Sequence, residues 1–191
     1  MASKIKNRII DQAICCFAKH GYSGCSTKEI ATRADVTEGS LFRLFGTKEK
    51  LYVEALERVR SGWLSQKEFE SLLNSGDIET GIKNAYAAMM RKLTENGHRL
   101  IRFAMLEHIS HARTIFSPIY DVRIRAVAKR LREGIESGHV RKDVDPKLAA
   151  SAIHAVVGNL RFYSMLLKRS RKQELVMVQR SIDLWLHGVL K

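Results

Sequence analysis

Proline is almost missing from this chain, with two residues among 191 where an average domain carries about 5%. That scarcity favours long helices over strands and irregular loops. Cysteine is scarce as well, and Cys15, Cys16 and Cys25 include no C-x-x-C pair of the sort that binds zinc. Because adjacent Cys15 and Cys16 point in different directions on any helix, the expectation is reduced structural thiols, with no metal site and no disulfide. No run approaches the ~18 consecutive apolar residues of a membrane span, and the opening MASKIKNRII has no apolar signal region. The expected address is the cytoplasm, away from any membrane. Alternating Val/Ile/Thr runs bounded by hairpin turns are absent too. So are a G-x-G-x-x-G turn, a phosphate-binding loop, a G-x-S-x-G elbow and paired carboxylates on a credible cleft. These gaps argue against an enzyme, and no cofactor is expected.

What the chain does have is positive charge and helical periodicity. Lys and Arg outnumber Asp and Glu by 33 to 20, a net +13 that attracts polyanions. The excess is spread, since the first fifty residues carry nine Lys and Arg against five acids. With 45% hydrophobic and 28% charged residues the length suffices to bury a real core. Apolar residues recur at helical spacing almost throughout. Ile9, Ile10, Ala13, Ile14 and Phe17 mark a first helix stopped by Gly21, and a long one follows Lys48, carrying Tyr52, Leu56, Val59 and Trp63 and fading near Asn74. Both prolines sit behind a cap residue, Ser117-Pro118 and Asp145-Pro146, which places a helix start at each. The expected fold is all-α, with about nine helices.

Residues 27 to 51 carry the most chemistry. Ser26 and Glu29 fit a capping box for a short helix at Thr27, with Ile30 and Ala31 facing inward. Asp35-Val36-Thr37 makes a tight turn in which Asp tolerates left-handed backbone, Val36 plugs the core and Thr37 caps a second short helix over Glu38 to Phe45. Two short helices crossing at such a turn form a helix-turn-helix, whose second helix enters a major groove. Glu38, Gly39 and Ser40 then face base edges, with Arg43 one turn on. Lys28, Arg43, Lys48, Lys4, Lys6 and Arg8 would neutralise phosphates.

This block resembles the tetracycline-repressor (TetR) family of bacterial transcriptional regulators. Thr27, Ile30 and Ala31, then Val36, Thr37, Gly39, Leu41, Phe42 and Phe45, then Lys48, Glu49 and Leu51 stand at the positions of its reader pattern, and Phe17 and Gly21 match the end of its first helix. The resemblance implies a DNA-binding domain over residues 1–47 that uses Lys28, Thr37, Glu38, Gly39, Ser40, Phe42, Arg43 and Lys48. Residues 48–191 would form a helical ligand-sensing and dimerisation domain. Three departures stand out. Phe42 replaces a frequent tyrosine, Leu44 replaces a tyrosine or histidine, and Asp35 replaces glycine or another small residue. Two phosphate-bonding side chains are thereby lost, which shifts weight to the lysines.

The family likeness beyond residue 51 is one of layout. It implies a core in which Trp63, Met89, Met90, Phe103, His108, Tyr120, Asn159 and Phe162 line a cavity for a small organic effector, with ordinary packing as the competing reading of each. The last two helices carry apolar residues on more than one face. Ile153, Val157, Leu160, Val178, Ile182 and Trp185 are therefore expected to meet a second copy in a homodimer, with a thick monomer core as the alternative. Glu107, His108 and His111 are read as packing residues, and no metal is expected. The partners that follow are double-stranded operator DNA bound as a pseudo-palindrome, and a small-molecule effector. The other reading is a basic helical module that holds nucleic acid or an anionic membrane by bulk charge.

Overall fold

The computed structural model describes residues 2–92, 94–107 and 109–191. Among the described residues the regular structure is ten helices and one isolated antiparallel bridge, Val140 to Leu190. In chain order they are α1 (Ala2–Gly24), α2 (Thr27–Arg33), α3 (Glu38–Phe45), α4 (Lys48–Ser61), α5 (Gln66–Leu73), α6 (Ile78–Lys92), α7 (Glu95–Glu107), α8 (Ile109–Glu136), α9 (Pro146–Leu166) and α10 (Arg171–Val189). The all-α fold anticipated from periodicity is the fold observed.

The chain forms two compact units, Met1–Trp63 with Leu93–Ser117, and Leu64–Lys92 with Pro118–Lys191. In the first unit the face of α1 made by Ile9, Ala13, Cys16 and Phe17 is fully buried, as are Ile30, Leu41, Leu51, Ala55 and Leu56 from α2, α3 and α4. Phe17, Tyr22 and Tyr52 form an aromatic knot, with Tyr52 centred 4.9 Å from Phe17 and 5.0 Å from Tyr22; such edge contacts add ~0.5–1.5 kcal/mol each beyond burial. The second unit has its own core, built from Phe69, Ile82, Tyr86, Val127, Leu131, Ile153, Val157, Val178 and Ile182. Its α5 and α6 approach so closely that a Cβ on Gly81 would stand 2.1 Å from the Leu73 carbonyl oxygen. A buried ion pair joins Arg161 of α9 to Glu174 of α10, and Arg171 adds a second contact to the same carboxylate at 2.8 Å.

Several sequence expectations change here. The long helix after Lys48 breaks after Ser61, because Gly62 ends α4 and Ser65 with Glu68 opens α5 in a full capping box. Pro118 does not begin a helix but lies inside α8. The division between the two units nevertheless falls between Ser117 and Pro118. Asp145 does cap α9, its Oδ1 accepting from the amides of Lys147 at 2.8 Å and Leu148 at 3.0 Å. Finally, Cys16 and Cys25 are joined as a disulfide, leaving Cys15 free. The return of the chain from α1 to α2 brings their Cα atoms to 5.8 Å, within bonding range, which spacing along the sequence did not reveal.

Candidate nucleic-acid interface

The reader is assembled by local rules. Ser26 Oγ accepts the Glu29 amide at 3.0 Å and fixes the start of α2. The turn that follows holds Asp35 at φ 50°, the left-handed region that Asp enters more readily than most residues, while the Val36 amide donates to the Ala31 carbonyl at 3.0 Å. Thr37 Oγ1 then accepts the Ser40 amide at 3.1 Å and starts α3. Leu41 and Phe45 anchor the inner face of α3 in the core. Around the rest of this helix the chain is open: Thr37 at its cap, Gly39, Phe42, Arg43 and Leu44 are all exposed.

Several residues expected to touch DNA are engaged within the protein. Glu38 accepts from Thr27 Oγ1 at 2.5 Å and is half-buried. Ser40 shares a hydroxyl bond with Thr37 at 2.9 Å. Lys48 lies over the Tyr22 ring at 4.5 Å, where partial burial lowers its ammonium below the ordinary lysine range against the opposing pull of Glu107. Lys6 pairs with Glu54 at 2.8 Å. Arg8 donates to the Asp35 carbonyl at 3.2 Å and sits 3.9 Å from its carboxylate, so the acid that departs from the family pattern already has a cation beside it. Lys28, Arg33, Arg43, Thr47 and Lys50 remain exposed. Arg33, Thr47 and Lys50 were not expected from sequence to touch DNA, although their position beside the two short helices was a usable signal.

A buttress from α7 holds the reader. Gly21 breaks α1 at φ 72°, and the two amides after the break, Tyr22 and Ser23, donate to Glu107 Oε2 at 2.7 and 3.3 Å. A Cβ at Gly21 would meet Glu107 Oε1 at 2.2 Å, so only glycine admits this close approach. His111 of α8 lies 3.3 Å from Glu49 in the first turn of α4. Glu107 and His111, read as packing residues from sequence, thus touch the reader; His108 lies outside the described residues.

The expected ligand-lining residues are divided between the two units. Trp63, stacked on Phe116 at 5.1 Å, and Phe103 belong to the first unit. Met90, Tyr120, Asn159 and Phe162 belong to the second. Asn159 is exposed on the outside of α9, with its amide bonded to the Ala155 carbonyl, and so is no cavity wall. Tyr120 lies against His154 at 5.1 Å, and the Tyr86 hydroxyl is 3.3 Å from His154 Nδ1. Burial lowers His154 to about 4, with the nearby Arg123 charge acting in the same direction. This buried group of Tyr86, Tyr120, Arg123 and His154 was missed because its members come from three distant helices.

The residues expected to meet a second copy are used within the chain itself. Ile153, Val157, Val178 and Ile182 are at most 2% exposed within the chain's own core, and Leu160 and Trp185 pack against that core. None of the first four is available to a second copy. Exposed apolar side chains stand elsewhere on these helices, with Leu148, Val156 and Tyr163 on α9, Leu167 just past its end, and Val176 and Leu184 on the side of α10 away from its buried residues.

A capped two-helix reader with an open outer face, carried on an otherwise helical body, defines a helix-turn-helix DNA-binding protein. Residues 9–55 match the family described as bacterial regulatory proteins, tetR family. The chain is 26% identical over 155 residues to the HTH-type transcriptional repressor DhaR of Mycobacterium sp. (strain GP1), covering 79% of this chain and 77% of that one. Among solved structures, NalD of Pseudomonas aeruginosa, the secondary repressor of the MexAB-OprM multidrug efflux pump, superposes with a TM-score of 0.77 at 19% identity over 100% of this chain and 98% of its own. SmeT, the repressor of the Stenotrophomonas maltophilia multidrug efflux pump SmeDEF, gives 0.68 at 22% identity over 97% and 90%. By this N-terminal segment and by its fold the chain is similar to the TetR family of bacterial regulators.

Proposed function

We propose that this protein is a ligand-responsive transcriptional repressor, acting in the cytoplasm as a homodimer on a pseudo-palindromic operator. The observation that carries the DNA-binding part is α3 itself: capped by Thr37, anchored by Leu41 and Phe45, and open along Gly39, Phe42, Arg43 and Leu44. Residues 1–47 serve as the reader and residues 48–191 as the sensing and dimerising body. Repression is supported by the relative DhaR and by the neighbours NalD and SmeT, all described as repressors. A small organic effector is supported by the complex of SmeT with triclosan.

Dimerisation is assigned to the exposed apolar side chains of Leu148, Val156, Tyr163, Leu167, Val176 and Leu184. Two readers so paired would engage half-sites roughly 34–36 Å apart. An effector that favours another tilt of α4 lowers operator affinity, and the operator must weaken that effector equally. Effector contacts fall to the sensing region, with Met90, Tyr120 and Phe162 as the retained candidates in the second unit and Trp63 and Phe103 in the first.

The test is a gel shift on promoter DNA upstream of its own gene, with the double change Gly39→Trp and Arg43→Ala. Selective binding by the unaltered chain and its loss in the variant are expected. Undiminished binding by the variant would refute the reader assignment. Equal affinity for promoter and scrambled duplexes would favour a bulk-charge binder, because such a protein has little sequence preference.

A further inference from the structure

Two departures of this reader from the family pattern, Phe42 and Leu44, have a structural consequence. Among the described residues of the first 47, they are the exposed large apolar side chains, at 39% and 37%. Both belong to α3, the helix that faces DNA in the function proposed above, and this inference rests on that reading. At about 100° of rotation per residue, they stand on either side of Arg43.

The polar groups that sequence alone assigned to base reading are largely turned to other uses. Glu38 is bonded to Thr27 and Ser40 to Thr37. What α3 offers a duplex is one guanidinium, a glycine that permits close approach and two apolar side chains. An apolar group has one specific partner among base edges in the major groove, the 5-methyl of thymine, and arginine has guanine O6 and N7.

We infer that Phe42 and Leu44 are specificity-determining residues that pack on thymine 5-methyl groups to either side of the base pair read by Arg43. The half-site is therefore one in which thymines flank a guanine. Side chains that in related readers bond phosphate here report sequence.

The experiment uses the full chain and a duplex selected by it from a random pool. Thymines of the selected duplex are then replaced singly by deoxyuridine, which deletes the methyl and leaves pairing intact. At contacted positions each replacement lowers affinity about fourfold, the worth of one buried methyl, and symmetric replacement in both half-sites lowers it roughly fifteenfold. Phe42→Ala should bind the thymine and uracil duplexes equally at one set of positions and Leu44→Ala at another, while Phe42→Tyr, which keeps the ring, retains the preference. Both side chains are exposed, so neither change threatens the fold.

Equal binding of thymine and uracil duplexes by the unaltered chain would overturn the inference. So would a thymine preference that survives in both alanine variants. Failure to select any preferred duplex is a separate result, which would remove the operator-binding reading and this inference with it.

Discussion

His154 shows how one buried residue can set a stability profile. It is 4% exposed, lies in contact range of Tyr86 and Tyr120, and is held neutral by burial with a pKa of about 4. In the unfolded chain an ordinary histidine takes up its proton below about pH 6.5. Between those two values the unfolded state binds more protons, so stability is complete above that window and declines as pH falls through it, by up to about 1.4 kcal/mol per pH unit. Urea denaturation at stepped pH should show this loss, and His154→Gln should flatten it. A variant with the slope of the parent would place the acid sensitivity elsewhere. Nothing in the sequence marked His154 for this role, because its neighbours are Tyr86 and Tyr120, far along the chain on other helices.

At the scale of elements, the short helices of the reader were legible and the longer ones less so. Caps and turns act within four residues, so Ser26 and Thr37 announced α2 and α3, and Gly21 and Asp35 announced the breaks. The break between α4 and α5 escaped because Gly62 was read through, apolar spacing continuing on either side of it. Gly21 was recognised as a stop but not as a contact. Its other role, to admit the Glu107 carboxylate, belongs to packing between α1 and α7. Gly21→Ala adds a left-handed backbone penalty to an overpacked site and should cost about 2–4 kcal/mol. Glu107→Ala releases two amide bonds but makes room for the new methyl, so the double variant should lose less than the two single losses combined, by ~0.5–3 kcal/mol. Additive losses in denaturant titrations would show that the two residues do not act on one another.

For the whole molecule the open question posed by the sequence was which apolar stripes of the last two helices face inward. The α9–α10 pair has more apolar residues than one core can cover, and the most strongly apolar stripe, with Ile153, Val157, Val178 and Ile182, is taken by the chain's own core. Val156→Asp combined with Tyr163→Asp should therefore lower the sedimenting mass from dimer to monomer while leaving helical circular dichroism unchanged. Ile182→Asp should instead unfold the protein, since an unpaired charge cannot be held in that interior. If Ile182→Asp gave a folded monomer, the interface would lie on the stripe that the structure buries.

Sequence alone determined the all-α class, the capped reader and its family likeness, because helix periodicity, caps and turn residues act over a few neighbouring positions and leave their signature in composition and spacing. Only tertiary structure decided that Glu38 and Lys48 are held internally, that Cys16 meets Cys25, that Glu107 buttresses the reader, and which face of α9 is left open. Those facts depend on helices far apart in the chain competing for the same contacts, and residue spacing within one helix does not record which competitor wins.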